Sequence, residues 1–141
     1  MNDAVTRVRQ FFETLDETSL ERIASVYTAD AFFKDPFNEV SGSDAIQRIF
    51  AHMFLQVDAP RFIVKDIVGD GDQVVLTWDF QFRMRRYNRT PQLIRGASHL
   101  RFAADGRVSY HRDYWDAAEE LYEKLPIVGG LMRWLKRRAA H

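Results

Sequence analysis

Apolar residues recur at helical spacing over residues 3–16, where Val5, Val8, Phe12 and Leu15 alternate with Arg7, Arg9 and Glu13. That pattern predicts an amphipathic helix. A second helix is expected at about 19–28, with Thr18 and Glu21 as a capping box and Leu20, Ile23, Ala24 and Tyr27 on one face. The segment Ala31 to Asp35 reads as a short strand that Pro36 stops, because the residue before a proline is held extended. Ser41-Gly42-Ser43 is a turn with Ser43 as the helix cap. The third helix carries Ile46, Ile49, Phe50, Met53 and Phe54 on one side.

After Pro60 the period shortens to two. Residues 61–68 are rich in β-formers, and Gly69 to Asp72 form a turn. Residues 73–86 alternate strictly: Val74, Leu76, Trp78, Phe80, Phe82 and Met84 share one face, and Val75, Thr77, Asp79, Gln81 and Arg83 the other. Two further strands, 93–103 and 107–115, flank the turn at Ala104-Asp105-Gly106. Consecutive long strands with short connections should pair as an antiparallel meander. Residues 117–124 read as an acidic helix, and Pro126 opens a basic amphipathic one with Val128, Leu131, Met132 and Leu135 on its apolar face.

Composition narrows the function. The 20 basic and 20 acidic residues cancel, so nothing favours a nucleic-acid partner. Cysteine is absent, which excludes a disulfide scaffold, a thiol nucleophile and a Cys-ligated zinc site. No metal-ligand spacing is recognisable among the histidines and carboxylates, so neither a metal nor another cofactor is expected. The N-terminus lacks the apolar core of a signal peptide, and no apolar run approaches the roughly 18–20 residues of a membrane span. The expected setting is the cytoplasm. Eleven Phe are enough to line a cavity as well as fill a core.

Three helices, a short strand ending in Asp35-Pro36 and a long meander resemble the nuclear transport factor 2-like superfamily, in the branch of ketosteroid isomerases and SnoaL-like polyketide cyclases. SLERIASVYTADAFFKDPFNEVSGSDAIQRIF resembles the helix-strand-helix core of that branch, and SHLRFAADGRVSYHRDYWD its last hairpin. The resemblance implies an α+β cone over residues 1–118, with three N-terminal helices on a strongly curved antiparallel sheet. Residues 119–141 would be a C-terminal helical extension.

It also implies an inner sheet face holding Trp78, Phe80 and Phe82, then Gly96, Ser98 and Leu100, then His111, Asp113 and Trp115, with Phe11, Phe12 and Phe54 closing the space from the helices. Such walls suit a small hydrophobic molecule. Asp35 matches the general base of the isomerases. The oxyanion donors of that reaction do not match: Phe11 or Phe12 stands where the tyrosine would be, and Ser98 where the protonated Asp would be. Asp113 resembles the acid/base position of the cyclases. His111 shares its strand face, and a carboxylate beside an imidazole fixes the tautomer.

Asp35, His111 and Asp113 are therefore the candidates for proton transfer of an isomerase, cyclase or lyase kind. Three alternatives stay open: a non-catalytic lipid or hydrophobic-ligand binder, an epoxide-hydrolase-like site, and a membrane or protein-interaction module using the tail. The hydrolase reading lacks its arginine, since Arg95, Arg101 and Arg112 should point outwards. The outer face, with Arg and Tyr interleaved, is expected to form a two-fold homodimer. Packing of helix 126–138 on the domain is favoured over peripheral membrane contact.

Overall fold

A computed structural model describes residues 3–86, 89–120 and 137–138. Helix α1 (Asp3–Glu13) buries Ala4, Val5, Val8, Phe11 and Phe12. A 3-10 helix (Glu17–Arg22) and a single turn of α-helix, α2 (Ile23–Val26), follow. The expected cap at Thr18 and Glu21 is replaced by Asp16 and Ser19: the Thr18 N–H donates to Asp16 Oδ1 at 2.9 Å, and the Asp16 N–H to Ser19 Oγ at 3.0 Å. A side-chain oxygen one turn earlier suits the tight 3-10 geometry that the chain adopts there.

Tyr27 is the main departure from the periodicity. It is the first residue of strand β1 (Tyr27–Lys34), not the last of a helix. The helical spacing ends where the backbone finds a strand partner in Val108. After β1 come a short β2 (Glu39–Ser41) and helix α3 (Ser43–Gln56). Gly42, not Ser43, is the N-cap of α3, with φ of 101°, a conformation that glycine adopts without a Cβ penalty. Strands β3 (Val57–Asp70), β4 (Gln73–Met84), β5 (Gln92–Phe102) and β6 (Val108–Tyr114) form the meander, and α4 (Ala117–Glu120) follows it. Of the tail helix expected over 126–138, Arg137 and Arg138 are helical and the rest lies outside the described residues.

All six strands form one sheet in the order β2-β1-β6-β5-β4-β3. The long strands pair antiparallel, as their short turns require, while β1 joins β6 in parallel. The sheet is mixed, where an antiparallel one was expected. β4 keeps strict alternation, with Val74, Leu76, Trp78, Phe80 and Phe82 all buried. β3 does not alternate strictly: one extra residue enters between Asp58 and Arg61, and another between Val64 and Asp66. A bulge changes which face the following residues occupy and bends the strand. Here the two bulges keep Val57, Phe62, Val64 and Ile67 opposite the inward residues of β4, and Asp66 turns outwards to accept from Thr77. α1 and α3 pack on the concave face so formed. Each large apolar side chain buried there contributes roughly 1.5–3 kcal/mol.

On the outer face Arg101 lies over Tyr110 at 5.1 Å and Arg112 over Tyr114 at 4.7 Å. Arg95 pairs with Glu120 of α4 at 3.2 Å. Among the described residues no helix is long and apolar enough to cross a membrane.

Candidate functional site

The concave face and α3 enclose a cavity of about 210 Å³. Its wall is mostly apolar and rich in aromatic rings. Phe62 stacks on Phe80 at 4.4 Å, Phe80 on Phe82 at 5.0 Å, and Phe62 meets Trp78 edge-on at 5.3 Å. Phe12 of α1 reaches both Phe50 and Phe62. Ile49, Met53 and Gln56 line the space from α3, at spacings of three and four that keep them on one helix face.

Of the residues expected to line the cavity, Phe12, Trp78, Phe80, Phe82, Ser98 and Trp115 do so, together with Asp35, His111 and Asp113. Phe11, Phe54 and Leu100 do not. Phe11 packs edge-on against Phe12 from behind, and Phe54 is buried in the core. Leu100 is fully buried beside Val74 and His111, where the wall is closed by packing. His52 also lines the cavity, as an exposed side chain, as does Asn38 with partial burial.

The polar groups form one hydrogen-bonded chain with a fixed direction. The Trp78 indole can only donate, and it does so to Ser98 Oγ at 2.8 Å. Ser98 therefore turns its own proton to Asp113 Oδ1, at 2.5 Å. His111 Nε2 stands 2.6 Å from the same oxygen and donates to the carboxylate. Its Nδ1 is then an acceptor, and the Tyr27 hydroxyl donates to it at 2.7 Å. The reverse tautomer would leave the Tyr27 proton without an acceptor in a fully buried position. Burial first, and the nearby Asp113 charge second, push the Tyr27 phenol well above its ordinary pKa, so it remains a donor.

Asp113 is thus held by one oxygen only. No described residue donates to Oδ2. No buried side-chain oxygen or nitrogen among the described residues lacks a partner, so this unpartnered oxygen is an accessible one. It belongs to a carboxylate on the cavity wall.

Asp35 behaves differently. Its Oδ1 accepts from the Phe37 and Asn38 backbone N–H groups at 2.8 and 2.7 Å, and from Asn38 Nδ2 at 3.1 Å. Oδ2 also takes the Asn38 amide, at 3.2 Å. The carboxylate closes the turn between β1 and β2, as an Asx residue before a proline can. It borders the cavity but makes no hydrogen bond to His111 or Asp113. No group of three or more His, Asp or Glu among the described residues is placed to hold a metal ion.

Tyr27 was missed because its helical spacing masked it. Its partner lies 84 positions away, and no local pattern could have found it.

The sequence model of the SnoaL-like domain matches residues 8–111. No curated protein matches the chain significantly. Solved structures do. A protein of ketosteroid isomerase-like fold from Catenulispora acidiphila, in complex with trimethylamine, shares 16% identity over 86% of this chain and 91% of its own, with a TM-score of 0.72. A candidate SnoaL-like polyketide cyclase from Shewanella putrefaciens shares 17% identity over 86% and 97%, with a TM-score of 0.72. An LEH-like epoxide hydrolase from M. tuberculosis shares 17% over 97% and 95%, with a TM-score of 0.69. At these identities the likeness is one of fold.

Proposed function

The chain belongs to the SnoaL-like family, and from that premise we propose that it binds a small apolar molecule in the cavity and moves a proton on it through Asp113. The observation that carries this reading is the asymmetry of the Asp113 carboxylate. Oδ1 is fixed by Ser98 and His111, while Oδ2 is accessible and belongs to a carboxylate on the mostly apolar cavity wall. A general base needs a lone pair aimed at the substrate and a rigid support behind it. Ser98 and His111 are the support, and Trp78 and Tyr27 hold them in turn. Asp35 is assigned to the turn, because its oxygens are engaged by that turn's own N–H groups.

Plain binding without turnover is the second reading. The indole of Trp78 and the hydroxyls of Ser98 and Tyr27 all donate inside the chain, so none of them is left to hold a developing oxyanion.

Exchange of α-C–H protons into D2O separates the two. The ketone 1-indanone and the amino ketone tropinone serve as probes, followed by NMR. Wild-type protein is expected to accelerate exchange of at least one, with a loss of roughly 100-fold or more in Asp113→Asn. Exchange at the buffer rate for both probes, or undiminished in Asp113→Asn, overturns proton transfer and leaves binding.

A further inference from the structure

The charge on the cavity wall is one-sided. Two carboxylates border it, and no Lys or Arg stands among the described lining residues. Asp35 is answered by the N–H groups of its own turn. Asp113 is answered on Oδ1 alone, by a hydroxyl and by an imidazole. The other nitrogen of that imidazole meets the neutral Tyr27 hydroxyl. Among the described residues, a carboxylate with an accessible oxygen therefore borders a low-polarity space that holds no Lys or Arg, where its field is weakly screened.

Aromatic rings surround that network. Phe12 and Phe33 both stand edge-on to the His111 ring, at 5.6 and 4.7 Å, and the Trp78 indole reaches Ser98. Phe12, Phe33 and Trp78 all contribute to the cavity wall. Aromatic faces attract cations and repel anions. An anionic ligand would be repelled by Asp113 and would meet no Lys or Arg among the described lining residues. A neutral one would find the donors of Trp78, Ser98 and Tyr27 already engaged.

We infer that the cavity selects hydrophobic cations: a protonated or quaternary amine whose charge sits at Asp113 Oδ2 and whose apolar body lies against the Phe62, Trp78 and Phe80 rings. This rests on the cavity being a ligand site, and it adds the charge class of the ligand.

Three probes on one indane frame test it: 2-aminoindane, 2-indanol and indane-2-carboxylate, each titrated calorimetrically at a pH of about 7. Wild type is expected to bind the amine at least roughly tenfold more tightly than the alcohol, and the carboxylate most weakly. In Asp113→Asn the amine and the alcohol should come within about twofold of each other. The wild-type ranking decides the question even if that variant folds poorly. An amine no tighter than the alcohol, or a ranking that persists in folded Asp113→Asn, overturns charge selection and leaves the ligand site intact. Binding of none of the three at millimolar concentration overturns the ligand site and this inference with it.

Discussion

Trp78 and Gly96 face each other across β4 and β5, and the indole occupies the space a side chain at position 96 would need. A Cβ there would stand 2.5 Å from the Trp78 ring, well inside contact distance. Glycine at 96 is thus what lets the indole lie down and reach Ser98. Gly96→Ala is expected to displace the ring and break that bond, at a cost of about 1–3 kcal/mol typical of overpacking. Urea unfolding should show the loss, and tryptophan emission in the folded variant should shift to the red. An unchanged midpoint and spectrum would mean that the indole does not need this space.

Tyr27 and His111 make a prediction with a pH signature. Tyr27→Phe leaves a buried imidazole nitrogen without its donor and should cost about 1–3 kcal/mol. The folded phenol keeps its proton while the unfolded chain loses it above about pH 10, the ordinary tyrosine value. The unfolded state then binds fewer protons. The stabilisation is full below that pH and falls as the pH rises towards the folded value, by at most about 1.4 kcal/mol per pH unit. Denaturation between pH values of roughly 9 and 11.5 should show a steeper decline for wild type than for Tyr27→Phe. Parallel curves would remove Tyr27 as the titrating group.

Asp35 is expected to matter through its turn. Asp35→Ala removes the acceptor for two backbone N–H groups and should cost about 0.5–2 kcal/mol, as loss of a comparable cap does. Asp35→Asn keeps an acceptor oxygen and should cost less. Thermal melts of the two variants give the comparison. An equal loss in both would show that the negative charge, not the hydrogen-bond geometry, holds the turn.

The inward face of the sheet was legible in the residues themselves. Period-two alternation in β4 is a local property, and it correctly paired Trp78, Phe80 and Phe82, as the same rule on β6 paired His111 with Asp113. The bulges of β3 were not legible, because an extra residue breaks no composition rule and is defined only against a partner strand. Asp35 borders the cavity, yet the same Asp-Pro text fits a base and a turn cap equally well.

The sequence by itself determined the first and third helices, the meander and which strand faces are apolar, since these follow from side-chain spacing within a single segment. The tertiary structure alone decided that Tyr27 leaves its helical pattern for a strand, that β1 lies parallel to β6, and that Asp113 is gripped by one oxygen and open at the other. Those features depend on donors and acceptors brought together from distant positions. Each buried polar group takes a partner because leaving it unpaired costs more than bending the local preference.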